Sequence, residues 1–228
     1  MRFGFCTIPF ESLSELAELV RFAEKLGFDR YWMPDQAFFV DPFAALGALS
    51  QQTEQIGLGL GVVNPFTRHP ALVARGGASV AKLTGNRFIL AYGGGNRLEN
   101  VERLRLNSKG TARKCREAIE IVRRMSAGEE VNREGPLWSM DRVRIQFPLP
   151  PPFPIYLAVR GPRMLRAAGR AADGVILGSM AKPEVIRFAM DEMRKAALEA
   201  GRDPLHITPA GWVVCIISDD PSSVREMM

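Results

Sequence analysis

The chain has 228 residues, of which 46% are hydrophobic and 24% are charged, and its net charge is +5. This composition is typical of a globular protein and excludes a disordered or fibrous chain. Because no apolar run reaches the roughly 18–20 residues that a membrane span requires, we expect no membrane insertion. The first residues lead directly into a predicted strand, so we expect no secretory leader.

The cysteines do not form a recognisable framework. Cys6, Cys115 and Cys215 are widely spaced and lack the CxxC or Cys/His spacing of a metal site. We therefore expect no disulfide framework and no bound metal, and we predict a reducing, cytoplasmic environment.

The positive charge is concentrated between positions 103 and 124, along one predicted helical region. These basic residues form either a solvated helix face or a surface for a small anion. Aromatic or Gly-Arg patterning is missing from this region, so we do not expect binding to nucleic acid.

The first 95 residues repeat one unit, in which an extended apolar run is followed by a turn and an amphipathic stretch. Successive runs start 27, 27 and 31 residues apart, which is typical of βα units in a parallel sheet. Ser12 and Glu15 have the spacing of a capping box, and Pro42 and Pro70 suit first helical turns. The predicted strands are 2–9, 29–35, 56–64 and 87–95, and the predicted helices are 13–26, 41–52 and 70–83.

The second half contains one interruption of this repeat. After a predicted helix at 110–127, the segment 129–153 combines polar turns with a proline-rich end. We interpret it as a surface hairpin or lid followed by a stiff connector. The βα units then resume, with predicted strands 155–159, 174–178 and 206–217 and predicted helices 162–172 and 182–200.

The seven units fit an α/β fold, either a (β/α)8 TIM barrel or a doubly wound open sheet. The dinucleotide fingerprint GxGxxG is missing after the first strand, and the spacing is even, so we favour the barrel. A complete barrel takes about 250 residues. We therefore expect residues 1–228 to form a single barrel domain that is C-terminally truncated, with the last helix–strand–helix missing.

Glycine is concentrated where a barrel would place its active site, at the carboxyl ends of the strands. Gly57, Gly59 and Gly61 alternate along one predicted strand, and the turn 93–95 closes the next. At Gly57 and Gly59 we favour a packing role, which is to make room for bulky neighbours. At Gly61 and the turn 93–95 we favour close approach of a ligand to the backbone.

Ionisable groups are scarce at these strand ends. Asp35 is the one carboxylate at a strand end in the first half, His69 precedes a helix, and His206 is expected to start a strand. No HExxH, GxSxG or paired-carboxylate pattern supports hydrolytic or metal chemistry. Such a site suits a cofactor that carries the reactivity itself.

Several motifs carry a resemblance to a known family. MRFGF at the start, GFDRYWMPD at 27–35 and GVVNPFTRHP at 61–70 resemble the bacterial luciferase-like superfamily. Within it they are similar to the branch that uses the deazaflavin coenzyme F420 and includes methylenetetrahydromethanopterin reductase. The resemblance implies a homodimeric oxidoreductase that transfers a hydride between coenzyme F420 and a small organic substrate.

The resemblance also implies the positions of the site residues. A non-proline cis peptide is expected between Gly61 and Val62, where it would back the cofactor ring. Catalytic roles are expected for Asp35, Gln36 and Asn96. The phosphate region is expected near the helix that starts after Gly161, where free N–H groups suit an anion. The other implied cofactor contacts are Val63, Asn64, Gly93, Gly94, Gly95, Val159, Arg160, Gly178 and Ser179.

The chain departs from the pattern of its named relatives at three positions. Cys6 and Asn96 stand where the methanopterin reductases have acids, and Gln36 stands where related dehydrogenases have a histidine. Glutamine can donate a hydrogen bond but cannot act as a base near neutral pH. Two alternatives therefore stay open: an FMN-dependent monooxygenase supplied by a partner flavin reductase, and a non-catalytic cofactor-binding relative.

Overall fold

The structure is a computed structural model that describes residues 1–8, 12–36, 38–96, 98–178 and 182–219. Its strands are β1 (Gly4–Cys6), β2 (Arg30–Met33), β3 (Gly57–Val63), β4 (Phe88–Tyr92), β5 (Val131–Arg133), β6 (Met140–Val143), β7 (Ile155–Val159), β8 (Gly174–Gly178) and β9 (Thr208–Trp212). Seven of them form one curled parallel sheet in the order β1-β2-β3-β4-β7-β8-β9. The fold is therefore α/β with a parallel sheet, as the repeat predicts.

Helices cover the outer face of this sheet. They are α1 (Leu13–Lys25), α2 (Pro42–Ser50), α3 (Pro70–Leu83), α4 (Thr111–Ser126), α5 (Pro162–Ala171) and α6 (Pro183–Glu199). The capping box of α1 is confirmed, because the Glu15 N–H donates to the Ser12 hydroxyl and the Glu15 carboxylate accepts from the Ser12 N–H at 3.0 Å. A local signal therefore explains where α1 begins.

The two faces of the sheet bury different side chains because successive residues of a strand alternate between them. The outer face contributes large residues such as Tyr31, Leu58 and Phe88 to the core beneath the helices. The concave inner face holds a separate apolar cluster built from Trp32, Tyr156 and Trp212 with smaller aliphatic neighbours. The carboxyl end of this inner face is the position of the expected site.

Glycine makes room for the rings of the inner face. A Cβ on Gly59 would overlap the Trp32 indole, and a Cβ on Gly174 would overlap the Tyr156 ring. A Cβ on Gly57 would come within 2.6 Å of the Arg30 guanidinium. The packing role predicted for Gly57 and Gly59 is thus confirmed.

The insertion contains the expected hairpin, in which β5 and β6 pair antiparallel. Arg133 of β5 forms an ion pair with Glu117 of α4 at 2.6 Å, and Lys82 at the end of α3 donates to the Pro148 carbonyl at 3.4 Å. Because the segment joins the end of a helix to the start of a strand, it enters at the amino-terminal end of the sheet. Of the two predicted forms, a surface hairpin or a lid, the structure therefore shows the hairpin.

One local expectation is corrected, and one element is new. His206 does not start a strand, since it is exposed and ends a 3₁₀ turn (Pro204–His206) whose cap is the Asp203 carboxylate; β9 begins at Thr208. A π-helical turn (Leu98–Glu102), which the sequence analysis did not predict, lies between β4 and α4.

The close packing of α5 on α6 at Gly169 can be tested by substitution. A Cβ on Gly169 would overlap the Met193 carbonyl and meet the Ala197 nitrogen at 3.0 Å, so the α6 backbone would have to move. We expect Gly169→Ala to lower the free energy of unfolding by about 1–3 kcal/mol. The measurement is urea-induced unfolding followed by circular dichroism.

The control is Gly47→Ala in α2, where a Cβ would meet only the Leu83 Cδ1 atom, at 3.8 Å. Alanine there raises helix propensity without a clash, so we expect a gain of about 0.5–1 kcal/mol. Equal effects of the two substitutions would contradict the packing described for α5 and α6.

Candidate functional site

The carboxyl ends of β2 and β3 open onto a cleft of about 260 Å³. Asp35 and Gln36 follow Pro34 at the end of β2, and Asn64 follows β3, so the parallel sheet brings these expected site residues together. The cleft is lined by Asp35, Gln36, Phe38, Phe39, Val40, Asp41, Pro42, Asn64, Thr67, Arg68 and Leu104.

An arginine organises the polar floor of this cleft. The Arg68 Nε atom donates to Asp35 Oδ2 at 2.8 Å, and Nη2 donates to Asp35 Oδ1 at 3.0 Å. The same Nη2 lies 2.8 Å from Asp41 Oδ2, and the guanidinium lies 5.5 Å from the centre of the Phe43 ring. The Asp35 side chain is only 8% exposed, so this bidentate pair fixes a buried carboxylate in one orientation.

Asp41 links this ion-pair cluster to a helix. Its Oδ1 atom accepts from the N–H groups of Phe43 and Ala44, which makes Asp41 the N-cap of α2. Burial acts to raise the pKa of Asp41, but hydrogen bonds from Arg68 and from these N–H groups outweigh it and hold the pKa below its usual value. The same two carboxylates hold the pKa of Arg68 above its usual value against the effect of burial.

Asn64 shapes the loop that carries Arg68. Its Oδ1 atom accepts from the Phe66 N–H and the Thr67 N–H, both at 3.0 Å, and from the Thr67 hydroxyl at 3.1 Å. The side chain is buried and forms an Asx turn, so this oxygen is used within the loop. His69 then caps α3, because its Nδ1 atom accepts from the Ala71 N–H at 3.2 Å.

The expected cis peptide bond lies between Gly61 and Val62. The pairing of β3 with β4 is irregular at this point, since Val62 is passed over between Gly61 and Val63. Trp32 lies behind the bulge, where a Cβ on Gly61 would come within 2.9 Å of its indole. Val62 packs in the inner cluster and faces Gly93, whose Cβ would lie 3.0 Å from it.

Other glycines of the strand ends are not needed to make room for a neighbouring side chain. A Cβ on Gly161 would meet nothing within 4 Å, and at Gly94 and Gly178 the nearest atoms are 3.8 Å away. Gly161 has φ +90° and precedes α5 without a side-chain cap, while the nearest atom to Gly178 belongs to exposed Arg160. This edge leaves backbone accessible beside a cation, which suits an anionic group.

Some expected site residues occupy different positions. The side chains of Val63 and Val159 are buried in the outer core, so only their backbone atoms are available to a ligand. Asn96 is exposed and is not among the residues that line the cleft; Gly95, with φ +64°, precedes it. Ser179 lies outside the described residues.

Cys6 ends β1 and is half-buried, with a thiol pKa that burial raises to about 11. This thiol is therefore protonated at neutral pH and is not a ready nucleophile. Within the described ranges, no group of three or more His, Cys, Asp or Glu residues is arranged to hold a metal. None of the described helices is long and apolar enough to cross a membrane.

Arg68, Asp41 and Trp32 are functional residues that the sequence pattern did not single out. Arg68 was visible inside the motif that carries the resemblance, and Trp32 alternates with buried Tyr31 and Met33 along β2. Their contacts, however, depend on loops and strands that are far apart in sequence.

Comparison with known proteins agrees with this architecture. A family model described as luciferase-like monooxygenase matches residues 1–228. The chain is 29% identical over 225 residues to a 5,10-methylenetetrahydromethanopterin reductase of Methanolobus tindarius, and 30% identical over 202 residues to one of Archaeoglobus fulgidus. It is also similar to the structure of the coenzyme F420-dependent tetrahydromethanopterin reductase of Methanopyrus kandleri, with 26% identity and a TM-score of 0.86.

These matches cover most of this chain but only part of each relative. They include 99% of this chain and 68% of the Methanolobus protein, and 89% of this chain and 60% of the Archaeoglobus protein. The structural match includes 97% of this chain and 68% of the Methanopyrus chain.

The ion pair between Arg68 and Asp41 predicts a pH-dependent contribution to stability. We expect Asp41→Asn, which retains an N-cap, to lower the free energy of unfolding by about 0.5–1 kcal/mol near pH 7, because the pair is half-exposed. Folding lowers the pKa of the Asp41 carboxyl, so its ion pair stabilises the folded protein fully at pH values above the pKa of the unfolded chain, near 4. This stabilisation is lost as the pH falls through the lower pKa of the folded protein. The deficit of Asp41→Asn should therefore disappear on acidification.

The measurement is urea unfolding of both proteins from about pH 7 down to about pH 3. The control is Asp191→Asn, which removes an exposed ion pair with Arg194 and should cost less than about 0.5 kcal/mol. A deficit of Asp41→Asn that stays constant to the lowest pH would contradict the role assigned to its carboxylate.

Proposed function

Because the chain belongs to the luciferase-like monooxygenase family, we propose that it is an oxidoreductase that uses the deazaflavin coenzyme F420. The observation that carries the proposal is the Gly61–Val62 bulge, which projects at the carboxyl end of the concave face beside glycine backbone. The reductases to which the chain is similar, one of them named as coenzyme F420-dependent, support the choice of cofactor.

The residues at this end of the sheet fit such a cofactor. A flat ring system needs an apolar surface, and Trp32, Val62, Tyr156 and Ile176 form one on the inner face. A phosphate needs N–H donors and positive charge, which the uncapped start of α5 and Arg160 provide. Val62 would support the ring from one side, so that the opposite side is left for substrate.

When bound, a reduced deazaflavin supplies the hydride, and the protein needs to provide no nucleophile. The task of this chain is to hold the substrate carbon against the ring in one orientation and to exclude water. Asp35 is held by Arg68 in a fixed position at the cleft floor, and Gln36 beside it would donate a hydrogen bond through its side-chain amide. Asn96 is the third polar candidate, on the turn after β4.

The proposal also covers the domain organisation, the oligomeric state and the substrate class. We propose that residues 1–228 form a single barrel domain whose seven parallel strands have the order of a (β/α)8 barrel, and that the protein is a homodimer with a small organic molecule as substrate. An eighth parallel strand would close the ring, since β1 and β9 are the two edges of the sheet in the part of the chain described.

An FMN-dependent monooxygenase is the second candidate. The observation that favours it is the description of the matching family as luciferase-like monooxygenase. The structure of a monooxygenase from Streptomyces bottropensis shares the fold, with a TM-score of 0.82 at 24% identity. A phosphate at the start of α5 would serve FMN equally well, and such an enzyme would need a partner flavin reductase.

The proposal is tested by cofactor titration of purified protein. We expect oxidised deazaflavin to quench protein fluorescence with a micromolar dissociation constant and to bind more tightly than FMN. Arg160→Glu should weaken this affinity at least about tenfold, because it replaces a cation near the phosphate by an anion. The matched control is Arg144→Glu, an exposed position after β6 at the opposite end of the sheet, which should leave the affinity unchanged.

Preferential binding of FMN, with oxygen consumption when reduced flavin is supplied, would transfer the chain to the monooxygenase class. If a folded sample binds neither cofactor, or if Arg144→Glu acts as strongly as Arg160→Glu, the proposal fails. The deazaflavin could also bind without being oxidised or reduced when carbonyl and imine compounds are added. This outcome would favour a non-catalytic cofactor-binding relative.

A further inference from the structure

The cleft beside Arg68 has an apolar wall whose role is not explained by cofactor binding. Phe38, Phe39, Val40 and Leu104 line it, and their exposed fractions are 71%, 40%, 36% and 44%. They come from two separate segments, the loop after β2 and the loop that follows the π-helical turn. Large apolar side chains gathered around one opening in this way mark a binding surface.

The floor of the same cleft favours a neutral ligand. It combines the carboxylates of Asp35 and Asp41 with the guanidinium of Arg68, which gives a formal charge of −1. Nε and Nη2 of Arg68 already donate to these carboxylates, so those donors are committed. The net negative charge of the floor would repel an anionic substrate group. A neutral apolar group would instead displace water from the apolar wall, which is favourable.

The loop that carries the wall is held by the ion-pair cluster. Asp35 and Asp41, on either side of Phe38, both bind Arg68, and the Phe39 N–H donates to the Gln36 carbonyl at 3.3 Å. Phe38 has φ +67°, a left-handed conformation that is rare for a bulky residue. Anchors on both sides of the loop thus hold an aromatic ring at the cleft in a conformation that phenylalanine alone disfavours.

We infer that this cleft binds a neutral, apolar part of the substrate, with Phe38 and Leu104 as specificity-determining residues. The cleft volume of about 260 Å³ admits a small organic group, and the net charge of the floor favours a neutral one. This inference rests on the proposed function, because it places the bound molecule beside Asp35 and Gln36 as the substrate of that site.

The test compares two dyes of nearly the same shape and different charge. N-phenyl-1-naphthylamine is neutral, and 1-anilinonaphthalene-8-sulfonate has the same rings with a sulfonate added. We expect the neutral dye to bind about tenfold more tightly, measured by the increase of dye fluorescence on titration with protein. In the double variant Phe38→Asn and Leu104→Ser, its affinity should fall about tenfold, because both apolar contacts are removed while asparagine tolerates the left-handed backbone.

The control is Phe22→Ser, which removes a phenylalanine of similar exposure, 59%, from the outer surface of α1. It should leave the affinity for the neutral dye unchanged. Equal binding of the two dyes, an unchanged affinity in the double variant, or an equal loss in Phe22→Ser would each overturn the inference.

Deazaflavin titration of the same proteins separates this result from the proposed function. The double variant should retain cofactor affinity, since neither residue is placed at the inner face or at the start of α5. If wild-type protein shows the expected dye pattern but binds no deazaflavin, the proposed function fails and the apolar cleft stands. If deazaflavin binds but the dye pattern is missing, only the cleft assignment fails.

Discussion

The narrow inner face of the curled sheet can accept a large aromatic ring only where the neighbouring strand carries no side chain. Trp32 lies across Gly59 and Gly61, and Tyr156 lies across Gly174. These contacts fill the space inside the sheet with rigid rings. They also provide the surface on which the Gly61–Val62 bulge rests, so the position of the site depends on the glycines that make room for these rings.

A second constraint, electrostatic rather than steric, organises the loops outside the sheet. Arg68 binds a nearly buried carboxylate at Asp35 and a helix-capping carboxylate at Asp41, which ties the loop after β3 to the loop after β2. Asn64 fixes the turn that presents Arg68. The polar floor and the apolar wall of the cleft are therefore parts of one loop arrangement, supported by the rigid strand ends below it.

The elements of the fold could be predicted closely because their signals are local. Alternation and spacing locate the seven sheet strands, α3 has the predicted bounds of Pro70–Leu83, and Ser12 forms the predicted capping box. The partners of Arg68 could not be predicted in this way, since Asp35 lies 33 residues earlier and is brought near only by the pairing of β2 with β3. His206 lies in a 3₁₀ turn capped by Asp203, a local signal that the strand pattern at 206–217 concealed.

The bulge explains why the Val63 side chain lies on the outer face of the sheet rather than the inner face. Strict alternation from Gly57, Gly59 and Gly61 would direct Val63 to the inner face. Because the register passes over Val62, two successive residues, Gly61 and Val62, face inward and Val63 enters the outer core. A β-bulge changes the phase of a strand without changing its composition, so the pattern of residues alone did not reveal it.

The central claim is that the inner face at the Gly61–Val62 bulge receives a deazaflavin ring. A crystal structure of the protein with oxidised deazaflavin tests this most directly. We expect the ring in contact with Val62 and Gly93, and the phosphate at the N–H groups that start α5 near Arg160. A deazaflavin bound elsewhere, with the inner face empty, would contradict it.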